Sequence, residues 1–180
     1  MTTRVFLDWV PRRPGLGLLL IAGVVTAGGC GGVRTNVRFD AVAPFEEYES
    51  FEWLPAVGPD SAVALDRALH DAVAPLLIAR GYEEVEANAD FWVYAHAGPR
   101  GFDFGRVYRR YRIRPSPGLG ADPDPDELGR EVLVLDVIDR RRREVVWRGI
   151  ATRVFAASDG RILRLADAVP ALLEPFPPKP

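Results

Sequence analysis

The segment Glu131–Val154, EVLVLDVIDRRRREVVWRGIATRV, carries the strongest structural signal in this chain. Two runs rich in β-branched residues flank the short polar segment Asp139–Arg143, and this pattern is typical of a β-hairpin. The first run is apolar on both of its faces, which carry Val132, Val134 and Ile138 on one side and Leu133, Leu135 and Val137 on the other. Because a strand with two apolar faces belongs in the middle of a sheet, we predict a central hairpin around which the other segments pack.

The amino-terminal residues 1–29 have the anatomy of a secretory signal. Arg4, Arg12 and Arg13 precede an apolar run over residues 15–29 that ends in small residues. A membrane-spanning helix needs about 20 residues, so this run is too short. Its removal takes away three arginines and one aspartate, and the net charge of -2 for the 180-residue chain becomes -4. We therefore expect neither nucleic acid nor polyanions in general as partners.

The only cysteine, Cys30, follows this segment directly and excludes an intramolecular disulfide. Ala27–Cys30 resembles a bacterial lipobox, in which cleavage before the cysteine leaves a thiol to be acylated, for example with palmitate. We predict that Cys30 is lipidated and that its acyl chains hold the protein to a membrane. A cleaved signal that leaves a free cysteine, and an uncleaved anchor, stay open as alternatives. Gly31 lacks the aspartate that resembles an inner-membrane retention signal, which favours an outer-membrane lipoprotein facing the periplasm.

Alternating or β-rich runs predict four strands before the hairpin. These strands span Val33–Asp40, Tyr48–Leu54, Ala89–His96 and Arg106–Arg114. Gly98–Gly105 and Pro115–Gly129 are predicted as loops, the second of them long, and residues 175–180 as a proline-rich tail.

Apolar residues at helical spacing predict two helices. The first begins at Ser61 and ends at Gly81, where a C-cap glycine belongs, and we expect Pro75 to kink or break it. The second begins at Asp159 and is interrupted by Pro170. The order of elements predicts an α+β fold for residues 30–180, a single-domain two-layer sandwich with a mainly antiparallel sheet and two helices on one face.

Several short motifs together resemble a known family. The motifs are Phe39-Asp40, Arg80-Gly81-Tyr82, Ala89–Val93, Val145–Ala151 and Phe176-Pro177-Pro178. With the preceding cysteine, they resemble domain-of-unknown-function family 4136, bacterial envelope lipoproteins, over roughly Cys30 to Pro178. The resemblance implies a location and a fold, and it implies no activity or ligand.

The sequence contains no recognisable catalytic motif. His70 and His96 have no metal-ligand spacing with each other, and we expect both to be exposed or at the edge of the core, without a metal. The sequence lacks a Gly-x-Ser-x-Gly elbow and a phosphate-binding loop, so we expect no catalytic residues and no cofactor. Asp136 and Asp139 lie in one strand, and Asp136 is expected to hydrogen-bond locally.

An arginine-rich segment is the strongest candidate for binding. Because guanidinium groups fit phosphate, the segment is a candidate contact for anionic lipid or another anionic envelope component. Its residues are Arg106, Arg109, Arg110, Arg112 and Arg114. The alternative is a sheet edge shielded by charge, with the acids in residues 122–127 as internal counter-charges. The four arginines Arg140–Arg143 are predicted to be a solvated hairpin tip.

The leading hypothesis is a non-enzymatic, lipid-anchored envelope protein that binds or scaffolds a partner. The alternative is a small periplasmic hydrolase or ligand carrier, with its site in the loops Gly98–Gly105 and Pro115–Gly129.

Overall fold

The computed structural model describes residues 33–55, 60–98, 104–120, 132–154 and 164–177. The signal segment and Cys30 lie outside these residues, as does most of the predicted loop before the hairpin. The strands are β1 (Arg34–Phe39), β2 (Ser50–Trp53), β3 (Glu83–Glu84), β4 (Phe91–Gly98), β5 (Arg114–Pro115), β6 (Val132–Asp139) and β7 (Glu144–Thr152). The helices in these ranges are α1 (Asp60–Ile78), α2 (Phe104–Tyr111) and α3 (Leu165–Leu173), with 3-10 turns at Phe45–Glu47 and Pro117–Leu119.

The predicted hairpin forms the centre of the sheet. The strand order is β1-β7-β6-β4-β2-β3, and β6 and β7 pair in antiparallel register across the turn at 140–143. Every residue of β6 is buried, and so is every residue of β7 except Thr152. The prediction of a central hairpin is confirmed.

The sheet is mixed. The pairs β1–β7, β7–β6 and β6–β4 are antiparallel, whereas β4–β2 and β2–β3 are parallel. The short strand β5 pairs in parallel with the first residues of β7, on the side where β1 has already ended. The α+β class is therefore confirmed, and the sheet is antiparallel only in its central and β1 parts.

One face of the sheet carries the main core beneath α1 and α3. Leu69, Val73 and Leu77 of α1 and Val169 and Leu172 of α3 belong to one apolar cluster with the sheet. The sheet contributes Phe91, Val93, Ala95, Leu133, Leu135, Val137 and Trp147. The prediction of two helices on one face is confirmed for α1 and α3.

Trp147 occupies the middle of this core. Its side chain is fully buried, and its ring meets that of Phe176 edge to face at 5.3 Å. A Cβ added at Gly149 would lie 2.5 Å from the Trp147 ring and 3.0 Å from Leu172. Gly149 therefore gives the indole the space to lie flat between β7 and α3.

Helix α1 ends as the sequence predicts. Gly81 has φ +92° and donates its N–H to the carbonyl of Ile78 at 2.9 Å, and the next N–H, from Tyr82, reaches Leu77 at 3.2 Å. Such closing bonds are typical of a glycine-terminated helix. Pro75 lies inside the helix, which continues to Ile78 and is not broken.

Helix α2 corrects the predicted strand over Arg106–Arg114. Its inner side chains, Val107, Tyr108 and Tyr111, pack on the face of the sheet opposite to α1 and α3, with Tyr94, Ile138 and Val145. The spacing of 107, 108 and 111 places these residues on one side of a helix, and arginine is a good helix former. The two-layer prediction is incomplete, because α2 adds cover to the second face.

The predicted loops are partly ordered into elements. Strand β4 extends to Gly98, and α2 begins at Phe104. The start of the predicted loop Pro115–Gly129 contains the end of β5 and the turn Pro117–Leu119, in which Leu119 is buried. The proline-rich tail contains a core residue, since Phe176 is buried against Tyr82 and Trp147. Within the described ranges, none of the helices has the length and apolar character needed to cross a membrane.

Candidate functional site

The predicted arginines lie on the outer side of α2 and just after it. Arg106, Arg109 and Arg110 are separated by three and four residues, so they share one face of the helix. All three are exposed, and so is Arg112, which follows the helix with φ +56°. We call these four residues the arginine surface. The guanidinium of Arg110 lies 5.7 Å from the centre of the Tyr111 ring, a cation–π contact that holds it above the helix.

Arg114 lies beyond α2, in strand β5, and pairs with an acid of β7. Its Nε and Nη2 atoms both donate to Oε1 of Glu144, at 3.0 and 2.8 Å. The Glu144 side chain is nearly buried, so it neutralises Arg114 within the protein. Arg114 is therefore paired within the protein, although its own side chain is 71% exposed.

A buried polar network lies beneath α2 and is formed by His96, Tyr108, Asp136 and Arg148. Arg148 donates from Nε to Oδ1 of Asp136 at 2.7 Å and from Nη2 to Oδ2 at 3.0 Å, a bidentate pair. Arg148 also donates to the Tyr108 hydroxyl at 2.7 Å, and that hydroxyl donates to Asp136. His96 Nε2 lies 3.9 Å from Asp136 Oδ2. Charge-assisted bonds of this kind tie α2 to the central hairpin.

Burial and pairing set the ionisation of this network. Burial alone would raise the pKa of Asp136, but the charge of Arg148, its hydrogen bonds and the nearby His96 ring outweigh burial and lower that pKa. Burial lowers the pKa of His96 despite its contact with Asp136. Burial raises the pKa of Tyr108 well above its ordinary value, so its hydroxyl stays a neutral donor. His96 is thus a core residue, and the expectation of an exposed or core-edge position was wrong for it.

The hairpin tip is not uniformly solvated. Arg141 and Arg143 are exposed, and Arg140 donates to the side chain of Asn88 at 2.7 Å. Arg142 is only one-third exposed and donates to Asp40 at 3.3 Å, with Glu144 at 2.7 Å. The prediction of a solvated tip is therefore wrong for Arg142, which fixes the turn to the end of β1.

A pocket of about 210 Å³ opens beside this tip. It is lined by Pro44, Glu47, Tyr48, Asp90, Asp139, Arg141 and Arg142. Two of the lining acids have internal partners: Asp139 accepts the Tyr48 hydroxyl at 2.9 Å, and Asp90 accepts two backbone N–H groups and the Ser50 hydroxyl. The pocket lies away from Tyr94 and His96, which are buried under α2.

His70 lies on the other side of the sheet from His96. It is one-third exposed on α1, 2.6 Å from Glu84 and 3.5 Å from Asp71. Burial lowers its pKa, but the bonds to the two acids outweigh this effect and raise it. In the described ranges, no group of three or more His, Cys, Asp or Glu side chains is placed to hold a metal ion.

The Asp136–Arg148 pair was missed by the sequence analysis, although the sequence contains a signal for it. Both residues are charged positions in the apolar strands of one hairpin, and they are direct cross-strand partners. Opposite charges at paired positions stabilise each other. Counting outward from the turn would pair Asp136 with Trp147, because the register shifts by one residue between Val137 and Ile138, and a bulge of this kind is not visible in the sequence.

The fold and these features define an α+β protein with a basic helical surface over a buried polar network. The family model for a domain of unknown function, DUF4136, matches residues 35–178, so the chain belongs to the DUF4136 family. The resemblance drawn from the sequence is thereby confirmed at the level of the family. A comparison with curated proteins gives no match.

Solved structures with a similar fold have low sequence identity to this chain. A DUF4136 family protein from Bacteroides thetaiotaomicron is 14% identical over 80% of this chain and 94% of that chain, with a TM-score of 0.47. The PelC dodecamer from Paraburkholderia phytofirmans is 16% identical over 80% and 96%, with a TM-score of 0.40. A PDZ domain protein from Parabacteroides distasonis is 12% identical over 81% and 37%, with a TM-score of 0.48.

Proposed function

We propose that this protein is a non-enzymatic, lipid-anchored protein of the bacterial envelope that binds an anionic envelope component through the arginine surface. In this proposal, acyl chains on Cys30 hold it to the outer membrane, and the folded domain faces the periplasm. The observation that carries the binding role is the exposure of Arg106, Arg109 and Arg110 on one helix face.

The anchoring role rests on the sequence of the amino terminus. A basic segment, an apolar run too short to span a membrane and a unique cysteine after two glycines stand in the order that a lipoprotein signal requires. The described domain begins at residue 33, three residues after Cys30.

The binding role rests on how α2 is held. Apolar side chains and Tyr108 fix the inner face of the helix to the sheet, so the arginines are presented from a rigid support. A helix fixed in this way loses little entropy when its outer face meets a partner. Each arginine close to an anionic surface contributes about 1 kcal/mol, so four of them give measurable binding at low salt.

The absence of a catalytic role is proposed from the chemistry of the buried network. Asp136 and Arg148 pair with each other, and Tyr108 bonds to both of them. The polar groups of Asp136, Arg148 and Tyr108 are therefore occupied in attaching α2 to the sheet, and α2 covers them.

The test uses the unlipidated protein with vesicles of phosphatidylglycerol or phosphatidylcholine at low and moderate salt. We expect binding to the anionic vesicles that weakens as salt rises, because exposed charges are screened. The variant Arg109→Gln/Arg110→Gln/Arg112→Gln should lose most of this binding.

The matched control removes three charges at the hairpin tip. The variant Arg140→Gln/Arg141→Gln/Arg143→Gln has the same net charge as the α2 variant and should retain most of the binding. Equal losses of vesicle binding in both variants would show that binding depends on net charge and not on the position of the arginines. No preference for anionic vesicles would leave α2 as a shielded covering helix.

A second candidate function, a ligand carrier, is favoured by the pocket beside the hairpin tip. Its site is then the pocket at Tyr48 and Arg142 and not the predicted loops. A small ligand whose binding is lost on Arg141→Gln and kept in the α2 variant would favour this candidate.

A further inference from the structure

The register of the sheet places two more arginines on the same face as α2. Arg38 of β1 is the direct partner of Arg148, which pairs with Asp136, which in turn pairs with Tyr94. Direct cross-strand partners point to the same face of a sheet. Because Tyr94 packs with α2, Arg38 points to the α2 side, and so does Arg34 four residues earlier.

Strand β1 lies close to α2 across the sheet. It is the neighbour of β7, one strand spacing of about 4.8 Å away, and α2 contacts β7 through Arg148 and Val145. Arg34 is exposed, and Arg38 is partly exposed at the level of the buried polar network. The α2 side thus carries the arginine surface and the two β1 arginines together.

The two sides of the molecule differ in charge. Strand β1 and helix α2 contain five arginines and no acid. On the other side, helices α1 and α3 together with Glu84 of β3 contain five acids and one arginine, Arg67, whereas Glu83 and Glu52 point to the α2 face. In these elements the arginines are concentrated on the α2 side and most of the acids on the α1 side, although the whole chain has a net charge of only -2.

The covalent chain limits the distance between the β1 arginines and the proposed anchor at Cys30. Three residues lie between Cys30 and Arg34, and the four Cα-to-Cα steps of a fully extended chain span at most about 14 Å. A tether this short keeps the β1 arginines within reach of the headgroups around the anchor, at high effective concentration. The screening length in physiological salt is about 8 Å, so the arginines attract anionic headgroups only when they lie within about that distance of them.

We infer that the α2 side, with Arg34 and Arg38 of β1, lies on anionic headgroups of the same membrane leaflet that holds Cys30. The inference rests on the proposed lipid anchor and names the partner of the arginine surface as the lipid itself. The acyl chains supply the attachment, and the arginines set the orientation of the domain. The acidic α1 and α3 side then faces away from the membrane.

The test measures the orientation of the full lipidated protein. Since Cys30 is the only cysteine and is blocked by acylation, a new cysteine can be labelled selectively with a fluorophore. Asn36→Cys reports the α2 side and Ala68→Cys reports α1, and both positions are exposed. Each labelled protein is reconstituted in vesicles that contain headgroup-quencher lipids, with either phosphatidylglycerol or phosphatidylcholine as the main lipid.

We expect quenching at position 36 and little at position 68 in phosphatidylglycerol, and a loss of this difference in phosphatidylcholine. Adding Arg34→Gln/Arg38→Gln should reduce the quenching at position 36, whereas the control pair Arg140→Gln/Arg141→Gln should leave it unchanged. Equal quenching at both positions in phosphatidylglycerol overturns the orientation. An unchanged signal after Arg34→Gln/Arg38→Gln overturns the role of the β1 arginines.

A failure of the inferred orientation can be distinguished from a failure of the proposed binding role. If the unlipidated protein binds anionic vesicles through α2 but the anchored protein shows no preferred orientation, only the inference falls. If the unlipidated protein has no preference for anionic vesicles, the proposed binding role falls first.

Discussion

At the scale of single residues, the segment Trp147-Arg148-Gly149 shows how neighbouring positions of one strand have different roles. Trp147 fills the core under α3, Arg148 points to the opposite face and pairs with Asp136, and Gly149 leaves room for the indole. Consecutive positions of one strand thus serve three different purposes on its two faces.

The first prediction compares Trp147 with an arginine of the hairpin tip. Trp147→Ala should lower the free energy of unfolding by about 3–5 kcal/mol, because it leaves a cavity in a fully buried site. Arg141→Ser should change it by less than about 0.5 kcal/mol, because the side chain is exposed. Denaturant unfolding of the two variants measures both values. Similar values would show that the hairpin is not the centre of the core.

The second prediction concerns the two histidines, whose pKa values are displaced in opposite directions. The pKa of His96 is lowered by burial, so the unfolded chain binds a proton that the folded protein resists. Stability should fall as pH decreases below about 6.5, with a slope of at most about 1.4 kcal/mol per pH unit. The pKa of His70 is raised in spite of partial burial, so its contribution is present below about 6.5 and is lost as pH rises through the folded pKa.

Single variants separate these two contributions. His96→Gln should flatten the decrease in stability on the acid side of neutrality, and His70→Gln should remove the decrease on the alkaline side. Urea unfolding at pH values from 5 to 8 measures both slopes. A change of the same sign in the two variants would contradict the assigned environments.

At the scale of elements, the third prediction concerns the attachment of α2 to the hairpin. Arg148→Met should destabilise the protein by about 3–5 kcal/mol, because it leaves the buried Asp136 carboxylate without its counter-charge. The double variant Asp136→Leu/Arg148→Met should recover much of this loss, since no unpaired charge remains. Tyr108→Phe removes the hydroxyl that bonds to both residues and should speed hydrogen exchange in α2 more than in β6. If the stability losses of Asp136→Leu and Arg148→Met add up to the loss of the double variant, the pair is not coupled.

The hairpin and α2 show how far the sequence predicts the elements. Apolar residues on both faces of β6 specify a buried strand wherever it pairs, so its central position could be read from the sequence. Helix α2 is eight residues long, and an isolated helix of that length is marginal in water. Its helical form depends on Val107 and Tyr108 meeting the sheet and the buried polar network, which are contacts between distant segments. The local mixture of arginine and tyrosine therefore predicts a strand, and only the tertiary contacts make the segment helical.

At the scale of the whole molecule, part of the candidate site was within reach of the sequence. The composition of residues 106–114 identifies the arginines of α2, whereas Arg34 and Arg38 belong to a separate predicted strand, Val33–Asp40. Their place beside α2 follows from the order β1-β7-β6-β4 and from the register of the pairs. Sheet order is set by long-range pairing, and local patterns do not encode it.

The fourth prediction concerns the anchor that the whole-molecule inference requires. Cys30→Ser removes the thiol that would carry the lipid, so the protein should move from the membrane fraction to the soluble periplasmic fraction. The variant Arg109→Gln/Arg110→Gln/Arg112→Gln is the matched control and should stay with the membrane, because acyl chains hold the protein even when the arginine surface is neutral. Cell fractionation and the intact mass of the mature protein measure both outcomes. A mature protein with an unmodified Cys30 thiol would remove the short tether, and with it the reason for the arginines to meet the lipid of the same leaflet.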